Sequence, residues 1–342
     1  MFCFIILWVL LGYSIAFGEN TSPDFGGFSK VFLNGITSDS LIGTIPEYVF
    51  AGFQMVFAVI TPALIIGAYV ERVKFSFVLL FSALWMILCY SPVTYWVWGG
   101  GFLFELGTVD LAGGLVVHET AGLAALVVAV FLGSRNDKTK PPHNPGYVML
   151  GASMLWVGWF GFNVMSAQTL DGVSGLVAVN SLMAMVGGTL AALVVGKNDP
   201  GFLYNGPLAG LVAVCAGSNL FHPLGALVVG LVAGALFVWT FSLAQIKWKI
   251  DDVLGVWPLH GLCGAWGGIA AGIFGLEYFG GMGGVTFMSQ LVGTLAGIAV
   301  AFIGGYVVYS LVHKLFDIRL SREDEFAGAD LSIHKINSMT RD

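Results

Sequence analysis

Charge is scarce in this chain. Of 342 residues only 14 are Lys or Arg and 20 are Asp or Glu, a charged fraction of 10%, and no water-soluble domain of this length covers its surface with so little. The net charge of −6 excludes nucleic acid as a partner, because phosphate binding needs a basic surface. Cysteine is also rare. Cys3, Cys89, Cys215 and Cys263 all fall in apolar stretches without CxxC spacing, which argues against a disulfide framework or a zinc site and leaves them as small packing residues. No Gly-x4-Gly-Lys-Ser/Thr occurs, so ATP-driven pumping has no phosphate loop to use. His118-Glu119 begins like a zincin helix, but Gly122 stands where the second His ligand belongs. No enzyme activity and no cofactor are expected.

What is abundant is apolar. Hydrophobic residues make up 57% of the chain and the mean hydropathy is +0.87, the composition of a polytopic membrane protein in a lipid bilayer. Apolar runs separated by short polar breaks lie at about 1–17, 46–69, 75–98, 112–133, 146–167, 173–196, 202–218, 223–245, 254–276 and 284–313. Long continuous runs favour bundled helices over the alternating short strands of a barrel, so the fold class is all-α with about ten transmembrane helices. The loops leave no room for a further soluble domain. Residues 1–315 form the membrane domain and 316–342 a cytoplasmic tail. Residues 1–17 lack the basic start of a signal peptide and read as a short membrane helix. The 48 glycines include small-x3-small patterns such as Gly264-x3-Gly268-x3-Gly272 and Gly230-x3-Gly234, which serve close helix packing in lipid.

Charge also sets orientation. Arg72, Lys74, Arg135, Lys138, Lys140, Lys197, Lys247 and Lys249 fall in alternate loops, and Lys314, Arg319, Arg322, Lys335 and Arg341 lie in the tail on the same side. Lys30 alone is opposite. The positive-inside rule makes the basic side cytoplasmic, in a plasma-membrane protein with its C-terminus inside.

Two spans share a frame, Asp-x2-Gly-x4-His-x3-Gly-x10-Gly, at an offset of 142 residues. The first copy is Asp110, Gly113, His118, Gly122 and Gly133; the second is Asp252, Gly255, His260, Gly264 and Gly275. Under the charge-derived topology the two spans run in opposite directions, an inverted repeat. Each Asp precedes its His by roughly 12 Å of helix, so the imidazoles reach similar depths from opposite faces of a hydrocarbon core about 30 Å thick. A lone buried His is usually structural, but two at matched depth in matched frames point to a polar pathway at the pseudo-symmetry axis. Asp110 and Asp252, each just ahead of its span, read as caps on helix N-termini and as structural support. Glu119, beside His118, is expected on the helix face away from the lumen, where it needs a buried hydrogen-bond partner, with a subunit interface as the candidate place for it.

The segment from Asp110 through His118 to Gly133-Ser134-Arg135 resembles the signature of the ammonium transporters of the Amt/Mep/Rh superfamily. Gly12-Tyr-Ser-Ile-Ala-Phe-Gly18, Trp96-Val-Trp98-Gly-Gly-Gly101, Gly158-Trp-Phe-Gly-Phe-Asn163 and Asp251-Asp252 through Leu259-His260-Gly261-Leu-Cys263-Gly264 agree with it, in order along essentially the whole chain. Leu111 and Glu119 depart from the signature, which more often has an aromatic and a small or apolar residue there. Family members have eleven helices, whereas this sequence starts in what resembles their second; an upstream extension encoding one more helix is the expectation.

The resemblance implies uptake of ammonium or methylammonium by a homotrimer with a pore in each subunit. It implies an outer recruiting site at Trp98, Phe57 and Ser166, an aromatic gate at Phe57 and Phe162, and a pore lined by His118 and His260. An indole and a phenyl face attract a small cation, and a hydroxyl accepts its hydrogen bond. Taken alone, Trp98 would be an interfacial aromatic and the phenylalanines, among 27 in the chain, core filler. The tail resembles the one that couples neighbouring subunits, with Ser332 aligning where some relatives have a phosphorylatable Thr, and a PII-type nitrogen-signalling protein is the implied cytoplasmic partner. Two rivals are an ammonium sensor reporting to a cytoplasmic partner and an intramembrane enzyme using His118 and Glu119. The 27 residues after the last span are short for a kinase or cyclase domain, so transport is favoured.

Overall fold

The computed structural model describes residues 2–19, 22, 24–138 and 144–336. Met1, Lys140 and Arg341, used in the sequence reading, lie outside the described residues. Among the described residues the chain is mostly helical, with one short hairpin, β1 (Leu41–Ile42) against β2 (Ile45–Pro46).

Seven helices among the described residues are long and apolar enough to cross a membrane: α2 (Glu47–Tyr69), α3 (Phe75–Glu105), α4 (Gly114–Leu132), α5 (Pro145–Ala167), α6 (Gly172–Val195), α8 (Pro223–Trp248) and α10 (Phe287–Leu315). The other three apolar runs form shorter or segmented helices. These are α1 (Cys3–Phe17), α7 (Pro200–Val214) and α9 (257–274), which begins as the π-helical turn Trp257–Leu262 and continues as Cys263–Phe274. Seven of the ten apolar runs thus form helices of full spanning length, and the other three form shorter ones near the roughly 20 residues a bilayer needs. Two short helices follow, α11 (Arg322–Ala327) and α12 (Ala329–Ser332).

Helix starts follow local chemistry. Asn144-Pro145, Asp199-Pro200 and His222-Pro223 each put a capping side chain before a proline at the first helical position, and the caps accept from Tyr147, Gly201 and Leu224 respectively. Thr286 caps α10 by accepting from the Ser289 N–H.

The buried apolar residues form two main cores, the first mostly from residues 4–132 with the C-terminal part of α10, the second mostly from α6 to α9. Aromatic side chains such as Trp8, Tyr69, Phe81, Trp85 and Tyr90 dominate the first, and small residues on α6 to α9 dominate the second. In the second, glycines bring backbones together: Gly188 meets Gly206 and Gly210, and Gly230 meets Ala184. Helices α4 and α9 lie between the cores.

Those two helices are antiparallel. The C-terminal end of α4 reaches the start of α9, where the Arg135 N–H and guanidinium donate to Asp251 at 2.8 to 3.0 Å. The same end gathers Arg72, fully buried and bonded to the Asp251 carbonyl at 2.7 Å, Lys74 paired with Asp317 and Arg319. Burial lowers the Arg72 guanidinium to about 10, against the pull of Asp251. Arg319 donates to the Leu132 and Ser134 carbonyls and to Glu325, and Glu325 also accepts from Asn136, so α11 is fastened to the loop that leaves α4. Lys30 lies at the opposite end, paired with Glu47, which also accepts from the Tyr13 hydroxyl.

Candidate functional site

The two copies of the repeated frame adopt the same local structure. In each, the glycine three residues after the Asp takes a left-handed backbone, φ +95° at Gly113 and +67° at Gly255, which a side chain at either position would strain. In each, a π-helical turn follows and holds the histidine: Gly114–Glu119 for His118 and Trp257–Leu262 for His260. Asp110 accepts the N–H groups of Gly113, Gly114, Leu115 and Val116 at 2.6 to 3.0 Å. Asp252 accepts those of Val256 and Trp257 at 3.0 and 2.8 Å. Both carboxylates thus satisfy the unpaired amides at a helix start. Burial pushes the Asp252 carboxyl up to about 6, against its two hydrogen bonds.

The histidines meet between the cores. Nδ1 of His118 lies 3.2 Å from Nδ1 of His260, with the rings stacked at a 20° interplanar angle. One Nδ1 must carry a hydrogen and the other accept it, so the pair shares a single proton along this contact. Nε2 of His118 is buried without a protein partner.

Above the pair lie the aromatics. Phe57 and Phe162 pack with centroids 4.5 Å apart, and Trp98 stands edge-on to Phe57 at 5.9 Å. Phe57, Trp98 and Ser166 line a cavity of about 290 Å³ together with Phe53, Gln54 and Asp110. Leu111, one of the two departures from the signature, also lines it. Phe162, His118 and His260 line a second cavity of about 240 Å³ with Ile60, Leu64 and Leu208. Phe57 of the first cavity is thus in contact with Phe162 of the second. Trp98 donates its indole N–H to the Asp110 carbonyl at 2.6 Å, and the Ser166 hydroxyl donates to the Phe162 carbonyl at 2.7 Å. Of the eight residues singled out in the sequence, Phe57, Trp98, Ser166 and Asp110 line the first cavity and Phe162, His118 and His260 the second, while Asp252 lines neither and caps the start of α9.

Three features escaped the sequence reading. Trp159 stacks on His118, centroids 5.2 Å apart at 21°; its spacing of three from Phe162 on α5 was the available signal. Cys215 is more than a packing residue, since it accepts the Trp159 indole N–H at 3.3 Å and approaches the Asn163 amide oxygen at 3.2 Å. Glu119 does not line the imidazole pair's cavity; it is fully buried within the chain, and neither carboxyl oxygen makes a well-formed hydrogen bond. Its side chain packs on Gly297 of α10.

A model of the Ammonium Transporter Family matches residues 1–339. An ammonium transporter of Bacillus subtilis (strain 168) is 40% identical over 346 residues, covering 96% of this chain and 85% of the relative. The ammonium transporter Amt1 of Archaeoglobus fulgidus is 37% identical, covering 97% and 86%. Among solved structures, a protein titled Sensor Amt Protein superimposes with a TM-score of 0.89 at 29% identity, over 96% of this chain and 86% of that one. Mep2 of Candida albicans gives 0.86 at 28%, over 94% and 77%.

Proposed function

The chain belongs to the Ammonium Transporter Family and is an all-α, multi-pass membrane transporter of ammonium, and from that premise we propose that it takes up ammonium and methylammonium by recruiting NH4+ in the outer cavity, stripping its proton at the Phe57–Phe162 contact and passing NH3 beyond it. The observation that carries this reading is the pair of cavities that adjoin at the Phe57–Phe162 contact, one lined by an indole, a hydroxyl and Asp110, the other almost wholly apolar but for two imidazoles. A cation is favoured in the first by cation–π attraction and by hydrogen bonding, with the Ser166 oxygen as acceptor. In the second it would lose its hydration shell without a replacement, so the neutral molecule is the form that proceeds. The imidazole pair offers NH3 hydrogen-bonding partners and gives the shed proton a place to rest.

The basic end is the cytoplasmic one by the positive-inside rule, in the plasma membrane, with the tail inside. The assembly is a homotrimer with one pore per subunit, and a PII-type nitrogen-signalling protein is the partner for the cytoplasmic end; both follow from the family resemblance. The likeness to a protein titled Sensor Amt Protein favours a second reading, in which ammonium binding at the same cavity reports to a partner. Proteoliposomes separate them. Transport gives ammonium-evoked current or internal pH change, and His118→Leu and His260→Leu each abolish the current. Binding without flux selects the sensor, and wild-type currents in both variants remove the pair from the mechanism.

A further inference from the structure

Glu119 is an acid that the proposed pathway does not use. It sits inside a membrane span with no exposed surface, and neither carboxyl oxygen makes a well-formed hydrogen bond. A carboxylate so placed would be an uncompensated charge in the apolar interior.

Its surroundings are specific. The carboxyl packs against Gly297 of α10, where a Cβ would come within 2.6 Å of Oε1. Gly264 of α9 packs on the Glu119 backbone, and Gly268, one turn on, faces the Thr294 hydroxyl. That hydroxyl is buried and also unpartnered. Glu119 and Thr294 thus lie at one junction of α4, α9 and α10, on the far side of α4 from the aromatic pore. Toward the outer end of α10, Gln290 exchanges hydrogen bonds with the Val109 backbone at 2.6 and 2.9 Å, beside Asp110. The titratable groups nearest in the chain are His118, the adjacent residue, and Asp110 at the head of the same helix; Gly264, Gly268, Thr294 and Gly297, which face it from α9 and α10, do not titrate.

We infer that Glu119 is a proton store for the His118–His260 pair, set behind the pore at the junction of α4, α9 and α10. The inference rests on the reading of that pair as proton-bearing. In the exchange, neutral Glu119 with a neutral pair becomes Glu119 carboxylate with a protonated pair. One O–H bond is lost, one N–H bond is gained, and the interior acquires no net charge. When the pair passes its proton inward, the proton shed by ammonium restores the carboxyl and NH3 moves on.

The test uses the full-length protein in proteoliposomes, recording ammonium-evoked current and radiolabelled methylammonium uptake. Glu119→Gln keeps shape and neutrality but has no proton to release, so the charge moved per substrate should fall several-fold, with a smaller fall in Thr294→Val. An unchanged ratio in Glu119→Gln, with the ratio lost in His118→Leu, overturns the store and leaves the imidazole reading standing; an unchanged ratio in both overturns that reading itself. Infrared difference spectra of the wild type decide the matter even if the variant misfolds. A protonated-carboxyl band should lose intensity on ammonium addition, and its insensitivity to ammonium overturns the proposal.

Discussion

Gly122 of α4 and Gly261 of α9 meet backbone to backbone, so close that a Cβ on Gly122 would overlap the Gly261 nitrogen. Each glycine is within four residues of a pore histidine. The crossing is therefore what brings two rings 142 residues apart to 3.2 Å, since without a side chain at either position the helices touch along their main chains.

Gly122→Ala should force the two helices apart. Overpacking of this kind costs about 1 to 3 kcal/mol, and the separation exceeds what a hydrogen bond between the imidazoles tolerates. The expected outcome is a lower melting temperature in detergent and loss of ammonium-evoked current. A variant with wild-type current would show that the crossing does not set the His118–His260 distance.

Asp110 carries four backbone amides and should be more sensitive to truncation than Asp252, which carries two. Asp110→Ala strands buried donors at roughly 1 to 3 kcal/mol each when no water replaces the carboxylate, enough to unfold a marginal protein. Asp110→Asn keeps an acceptor and should retain part of the stability. Thermal unfolding of the three forms gives the ranking, and equal midpoints for wild type and Asp110→Ala would refute the capping role.

Phe57→Ala or Phe162→Ala should join the two cavities, because Phe57 of the first is in contact with Phe162 of the second. Water and hydrated cations then have a path to the imidazoles. Proteoliposomes bearing either variant should pass K+ under a gradient to which the wild type is closed; absence of any leak in the double variant means the barrier lies elsewhere.

Adjacent aspartates at the basic end respond to pH in opposite senses. Asp251 is pushed up by burial, but hydrogen bonds and charge from Arg135 outweigh this and hold it below the usual carboxylate range. Its contribution is present above the unfolded value of about 3.9 and lost as pH falls through the lower folded value. Asp252, raised to about 6, contributes stability below the unfolded value that is lost as pH rises through about 6. Asp252→Asn removes the second effect. Melting midpoints of wild type and variant should diverge between pH 4 and 6, the wild type losing up to about 3 kcal/mol relative to the variant; parallel curves would mean that Asp252 is not the titrating group.

The sequence by itself determined the class, the repeat and the chemistry of the axis. Charge scarcity and long apolar runs dictate membrane helices, and a frame repeated with its Asp, Gly and His in register dictates two equivalent helix starts, as Gly113 and Gly255 with their left-handed backbones bear out. Each start is local, set by residues within one helical turn, and local rules are readable from one chain. Tertiary structure alone decided what lies across space. Trp159 on His118, Cys215 on Trp159 and Glu119 against Gly297 join different helices, and nothing in the spacing of one helix specifies which face of another it meets. Helix lengths were decided there too, since hydropathy marks apolar runs, while the π-helical turns and breaks set how long each described helix is. In an interior where nearly every residue is apolar, the hydrophobic pattern no longer distinguishes one helix face from another; backbone approach at glycine and the placement of a few polar groups do.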